Sequence, residues 1–209
     1  MRILVIGATR GIGFEVVKAA LQASEQVRVL ARRPKEMRVR HENLEVMQGD
    51  VTDLAAVEPA VADQDLVCCT VGILPTRKPV EVFSRGTRNI LEAMQRRSVE
   101  RLITVTGIGA GDSRGHGGFL YDRIFQPLLL GTIYRDKDRQ EELIEASGSR
   151  WTIVRPGFLT NGRVTGRYRT IVDTSELAGG RISRADVAHF ILKEALSPEF
   201  ERQKVHLVH

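Results

Sequence analysis

Glycines at positions 7, 11 and 13 stand between an apolar run, residues 2–6, and a stretch that carries Phe14, Val17 and Leu21 at helical spacing. A strand that turns through Gly7-Ala8-Thr9-Arg10-Gly11-Ile12-Gly13 directly into a helix belongs to few folds. Bare backbone in that turn lets a diphosphate approach the amide hydrogens and the positive dipole end of the helix, as in a dinucleotide-binding βαβ unit. Glycine spacing alone is a weak signal, because glycine marks many turns. Its place between the first strand and the first helix gives it weight.

The rest of the chain alternates in the same way. Strands are expected at residues 27–31, 44–48, 65–71, 101–106, 151–154 and 205–208. Helices are expected at 14–23, 53–61, 80–97, 135–147 and 183–196, with Asp53 placed as an N-cap and Ser183 with Asp186 forming a capping-box-like start. Continuously apolar strands separated by helices predict an α/β fold, a Rossmann-type doubly wound parallel sheet flanked by helices on both faces. Residues 107–118 hold six glycines and read as a loop or lid, and 162–172 read as a hairpin or excursion. No repeat or linker interrupts the pattern. The 209 residues are therefore expected to form one domain, with a small substrate-side region from about residue 155 onward.

The second strand ends Ala31-Arg32-Arg33, where dinucleotide folds read the adenosine ribose. An acidic residue there would hold the 2′-hydroxyl of NAD; two arginines, with Arg10 of the glycine loop as a third cation, suit the 2′-phosphate of NADP. NADP(H) is the expected ligand and NAD(H) the alternative. Asp50 and Val51, after the third strand, are placed to meet the adenine, although Asp50 has an equally good reading as a cap for the next helix. Cys69, Thr70, Val71 and Gly72 end the fourth strand and would border the adenosine ribose, since ligands of open α/β sheets lie beyond the carboxyl ends of the strands.

Charge and cysteine content narrow the remaining classes. The formal net charge is +5, but 31 Lys and Arg are interleaved with 26 Asp and Glu instead of forming a basic tail. Such a surface favours an anionic small molecule, and without a helix-turn-helix, zinc or aromatic stacking signature it argues against nucleic acid. Cys68 and Cys69 are adjacent in a strand, which points them to opposite faces and suits neither a disulfide nor a metal site; a reducing cytoplasm is expected. The opening strand leaves no room for a signal peptide, and no apolar run reaches the roughly 18 residues of a membrane helix. The five histidines lack metal-ligand spacing, so no metal is expected.

Taken with Gly49-Asp50-Val51-Thr52-Asp53, Lys137 and Glu141, Ser147-Gly148, Trp151-Thr152-Ile153-Val154-Arg155-Pro156-Gly157 and Ile182-Ser183-Arg184-Ala185-Asp186-Val187-Ala188, the glycine loop makes the chain resemble the short-chain dehydrogenase/reductase superfamily. The likeness is to its atypical NmrA-like, flavin-reductase-like and NAD(P)H-binding branch. It spans nearly the whole chain, and the segments at 151–157 and 184–188 are its most specific parts. The resemblance implies a loop beside the nicotinamide at Pro156, Gly157, Phe158 and Leu159, and a structural anchor at Asp186.

Short-chain reductases use a tyrosine, a lysine four residues later and a serine; here the pattern departs. Tyr134 and Lys137 are three apart, which still shares a helix face. Lys137 alone fits the position that holds the nicotinamide ribose, against a plainer reading as a solvated lysine paired with Glu141. Thr106 offers a hydroxyl where Gly107 cannot, and Ser113, His116 and Tyr121 lie in or just after the glycine-rich loop. Without a strong proton donor, the acceptor of a hydride is expected to be flavin-, quinone- or carbonyl-like, with the first two favoured because they take their proton from solvent. Alternatives are an NmrA-like NADP(H) sensor without turnover and an epimerase- or dehydratase-like enzyme. The partner is expected to be a small-molecule acceptor, with no membrane, and the chain a monomer or homodimer.

Overall fold

Apolar side chains occupy both sides of the strand β1 (Arg2–Ile6), so it must lie inside a sheet covered on each face. The computed structural model describes residues 1–110, 131–176 and 179–209. In it β1 is followed by α1 (Gly11–Gln22), β2 (Gln26–Ala31), β3 (Leu44–Gln48), α2 (Leu54–Val61), β4 (Leu66–Cys69), α3 (Val82–Arg96) and β5 (Arg101–Val105). The second half adds α4 (Gly131–Glu145), β6 (Arg150–Pro156), β7 (Phe158–Thr160), β8 (Arg169–Ile171), β9 (Arg181–Ser183), α5 (Arg184–Leu196) and β10 (Gln203–Val208). Eight strands form one sheet in the order β3-β2-β1-β4-β5-β6-β10-β8. All neighbours are parallel except β8, which runs antiparallel to β10. This is the Rossmann-type doubly wound sheet expected from the sequence.

The pleat sorts the side chains into two cores. Ile3, Val5, Val27, Val29, Cys68 and Ile103 face α1 and α5, while Leu4, Ile6, Leu30, Val67, Cys69 and Leu102 face Val57 of α2, Ile90 and Met94 of α3, and Ile144 of α4. The adjacent cysteines do point to opposite faces, and both are buried free thiols. Winding starts at β1, runs outward to β3, and then crosses back to β4 on the other side of β1. That reversal opens a crevice beyond the carboxyl ends of β1 and β4, where such sheets hold their ligands.

One expectation is narrowed and one corrected. Of the two readings of 162–172 the hairpin falls and the excursion stands: β8 pairs with β10, while β7 pairs in parallel with β9 as a separate two-stranded ribbon. An excursion needs an anchor in place of a hairpin's own ladder, and buried Asp186 supplies it. Its carboxylate accepts from Thr165 N at 2.7 Å, Gly166 N at 2.9 Å and Ser183 Oγ at 2.8 Å. Helix α1 begins at Gly11, three residues ahead of expectation, because glycines read locally as turn although this turn already has helical backbone. Asp53 and Ser183 cap α2 and α5 as anticipated, accepting from Ala55 N and Asp186 N. Among the described residues no helix is long and apolar enough to cross a membrane.

Candidate functional site

Each glycine of the β1–α1 turn has its own reason. A Cβ at Gly7 would stand 2.8 Å from the Thr70 carbonyl group and from Val71 N, where the end of β4 closes on the turn, and Gly7 has φ +90°. At Gly13 it would stand 2.3 Å from Thr70 Oγ1 and 2.6 Å from the Gly7 carbonyl oxygen, so this glycine lets helix and strand touch. Gly11 differs. With φ +66° it requires glycine's backbone freedom, yet no described atom lies within 4 Å of where its Cβ would be. Gly72, after β4, is equally open. The two open glycines leave bare backbone on the turns after β1 and β4.

The first turn of α1 is built for an anion. Arg10 stands at the N-cap but makes no side-chain cap hydrogen bond, and no acidic residue occupies the first turn. The helix start therefore keeps its dipole and amide hydrogens available for a phosphate group. Thr70 holds the turn by donating from Oγ1 to the Ile6 carbonyl at 3.0 Å. Ile12 is buried, Thr9 half-buried, and the Cys69 thiol lies in the core, where burial pushes it up while the Val71 amide, Thr104 and Lys137 act the other way.

At the tip of β2, Arg32 and Arg33 are both exposed, and Arg33 Nη1 donates to Glu36 Oε1 at 2.7 Å. Asp50 does not cap α2, since Asp53 does; its Oδ1 instead accepts from Thr52 N at 2.9 Å and Thr52 Oγ1 at 2.8 Å. Burial opposes ionisation of Asp50, but the Thr52 bonds and the nearby Arg32 and Arg85 hold its carboxyl below the usual range. Val51 is buried, and its carbonyl accepts from Asn89 Nδ2 at 3.0 Å.

Farther along the same edge, Thr106 N donates to Val154 O and Ile108 N to Pro156 O, so the chain after β5 continues beside the end of β6. Helix α4 lays Tyr134 and Lys137 over this place. A Cβ on Gly107, which has φ +144°, would lie 3.6 Å from Tyr134 Oη and 4.0 Å from Lys137 Nζ, so both groups converge on the bare backbone there. Tyr134 donates to the Ile108 carbonyl at 3.0 Å. Lys137 donates to the Thr106 carbonyl and lies 5.2 Å from the centre of the Phe83 ring. Burial brings its ammonium down to about 8, with Glu141 and Cys69 acting the other way. Pro156 is buried, a Cβ on Gly157 would meet the Gly180 carbonyl oxygen at 2.5 Å, and Phe158 is 75% exposed at the strand end. Ser113, His116 and Tyr121 lie outside the described residues, as does 111–118 of the glycine-rich loop.

Two polar expectations are overturned. Thr106 has its hydroxyl turned inward, donating to Glu141 Oε1 at 2.6 Å, because a buried carboxylate there needs every donor it can reach. Glu141 pairs with Arg155, not with Lys137: Arg155 Nη2 donates to Oε2 at 2.5 Å and Nε to Oε1 at 3.1 Å, with both residues buried. Reasoning from sequence missed this pair, although a charge within the apolar run Trp151-Thr152-Ile153-Val154-Arg155 already signals a buried partner. It also missed Asp136, which reaches from α4 to accept from Phe83 N at 2.8 Å and so caps α3 from another helix.

A protein-family model described as NAD(P)H-binding matches residues 7–198, from the first glycine of the loop to beyond α5. The chain belongs to the NAD(P)H-binding family. This agrees with the resemblance of its motifs to the NAD(P)H-binding branch of the atypical short-chain dehydrogenases/reductases. Protein TIC 62, chloroplastic, of Arabidopsis thaliana is 25% identical over 97% of this chain and 35% of its own length. A (4-alkanoyl-5-oxo-2,5-dihydrofuran-3-yl)methyl phosphate reductase of Streptomyces griseus is 31% identical over 76% of this chain and 49% of its own. The chain thus spans only a third to a half of these two relatives. Among solved structures, ChuY, an anaerobillin reductase from Escherichia coli O157:H7, superposes with TM-score 0.85 over 100% of this chain and 97% of that one, at 24% identity. In this NAD(P)H-binding chain the family match begins at the open glycine turn, which fits the dinucleotide on its own geometry.

Proposed function

We propose that the protein is an oxidoreductase that binds NADP(H) across the carboxyl edge of the sheet and serves a flavin-, quinone- or carbonyl-like acceptor. The observation that carries the reading is the convergence of Lys137 and Tyr134 on Gly107, at the same sheet edge as the open turn of α1. Gly11, Ile12 and Gly13 would hold the pyrophosphate, Thr9 and Arg10 would flank it, and Arg32 and Arg33 would take the 2′-phosphate. Asp50 and Val51 would meet the adenine, and the backbone from Cys69 through Thr70 and Val71 to Gly72 would border its ribose. A bound nicotinamide supplies or takes the hydride.

The chain's own groups divide the remaining work. Lys137 offers a cation to ribose hydroxyls, held in place by the Thr106 carbonyl and the Phe83 ring. Pro156, Gly157 and exposed Phe158 form the neighbouring wall, and an apolar ring there excludes water from an acceptor's face. The Tyr134 phenol bonds a backbone carbonyl and the Thr106 hydroxyl is spent on Glu141, so neither stands ready as a proton donor. That commitment favours acceptors protonated from solvent, and the names of the two reductase relatives support reduction as the chemistry.

The test is NADPH oxidation by purified protein with a flavin, a quinone and a dye acceptor, alongside Lys137→Met. Acceptor-dependent oxidation that falls at least tenfold in the variant is expected; no oxidation above background with any acceptor contradicts the enzyme reading. The same hydroxyl commitments favour, as a second reading, a nicotinamide-binding regulator without turnover. Its mark would be unequal affinity for NADP⁺ and NADPH.

A further inference from the structure

Downstream of β2 the chain makes a single 3₁₀ turn, Pro34–Glu36, closed by Glu36 N donating to Arg33 O at 3.0 Å and Met37 N to Pro34 O at 3.0 Å. Proline at the first position sets its own φ for the turn. In 3₁₀ geometry residues three apart eclipse, so Arg33 and Glu36 stand on the same side, and Arg33 Nη1 meets Glu36 Oε1 at 2.7 Å. Met37 and Val39, packed against the core, hold the far end of the turn in place. Both paired side chains are open to solvent, and Arg10 and Arg32 stand near enough for their charges to act, with the Arg33 bond, in holding the Glu36 carboxyl below its usual range. Arg33 thus bonds a carboxylate on which the charges of Arg10 and Arg32 also act, at the place where the ribose of a dinucleotide is read.

We infer that Glu36 tempers the discrimination between phosphorylated and unphosphorylated dinucleotide that Arg32 and Arg33 create, its carboxylate competing with a 2′-phosphate for Arg33. The inference rests on the NADP(H) reading above. A phosphate bonds an arginine fork as a carboxylate does, and with more charge, so it displaces Glu36 only after breaking an existing ion pair and then remains beside a like charge. Glu36 therefore weakens the 2′-phosphate interaction without touching the unphosphorylated ligand, which has nothing to contest Arg33. An exposed pair is a weak competitor, so the handicap is a few-fold and preference for the phosphorylated cofactor is reduced, not reversed.

The test is calorimetric titration of wild type, Glu36→Gln and Arg33→Ala with adenosine 2′,5′-bisphosphate and with adenosine 5′-monophosphate. In Glu36→Gln the bisphosphate should bind about two- to fivefold more tightly, with the monophosphate unchanged. In the Arg33→Ala background, adding Glu36→Gln should recover less than half of that gain. Bisphosphate affinity that stays the same or weakens in Glu36→Gln overturns the inference while leaving the phosphate site standing. Wild type that binds both probes equally shows instead that the 2′-phosphate site itself is misassigned. The exposure of Glu36 keeps the variant foldable, and an unchanged melting temperature without ligand checks this.

Discussion

Gly11 and Gly13 lie two residues apart, yet replacing each by alanine should damage different properties. At Gly13 the new methyl falls 2.3 Å from Thr70 Oγ1, 2.6 Å from the Gly7 carbonyl oxygen and 3.0 Å from Ala8 Cα, so backbone must move. Overpacking of this kind costs about 1–3 kcal/mol. At Gly11 the methyl meets no described atom, and the cost is that of φ +66°, about 1–2 kcal/mol for an L-residue held left-handed. For a chain of this size each kcal/mol lowers the melting temperature by roughly 2–4 °C, so both variants should stay folded at 25 °C. The separation comes from ligand. NADPH at a hundred times its Kd stabilises wild type by about 2.7 kcal/mol, roughly 5–10 °C. Gly11→Ala, whose methyl projects into the open side of the turn, should lose that upward shift almost entirely. Thermal melts with and without NADPH read both effects. A Gly11→Ala protein that keeps the full ligand-induced shift would refute the assignment of this turn as the pyrophosphate seat.

Arg32→Ala with Arg33→Ala should weaken NADP⁺ by roughly tenfold and leave NAD⁺ nearly unchanged, since charge-assisted phosphate bonds are lost; equal losses for both, by titration, would contradict the 2′-phosphate site. The Lys137 ammonium is brought to about 8 from an ordinary 10.5, so between those values the unfolded chain holds more protons and stability should rise with pH, the full penalty standing below 8. Lys137→Met should accordingly be more stable than wild type at pH 7, by about 1–3 kcal/mol in urea denaturation, with the gap narrowing at pH 9.5; a gap that does not change with pH would show the ammonium is not desolvated. Glu141→Gln breaks the buried ion pair with Arg155 and should cost about 3–5 kcal/mol, whereas Glu141→Leu with Arg155→Met should cost less than either single change. Similar losses for single and double variants would place the pair's role elsewhere.

Much of this fold is written locally. The apolar runs that become β1, β2, β4, β5, β6 and β10 are largely buried, which is why their identity as inner strands could be read without knowing their partners, whereas β3 is a half-exposed edge strand. Caps at Asp53 and Ser183 depend on residues two or three positions away and were equally legible. What escaped depends on distance along the chain. Strands of three residues, β7 to β9, are too short to show a period and exist because neighbours offer them a ladder. The inward turn of the Thr106 hydroxyl follows from Glu141, 35 positions away, and the orientation of Glu141 from Arg155. Within the candidate site, the glycine turn and the arginines at the tip of β2 carry their meaning in residue type. The approach of Tyr134 and Lys137 to Gly107 is produced by how α4 lies on the sheet, which no spacing encodes.

A crystal structure of the protein with NADP⁺ reaches the central claim most directly. The expected density places the pyrophosphate on the amides of Gly11, Ile12 and Gly13 and the nicotinamide ribose beside Lys137. Dinucleotide bound elsewhere, with the open turn of α1 left to solvent, would contradict it.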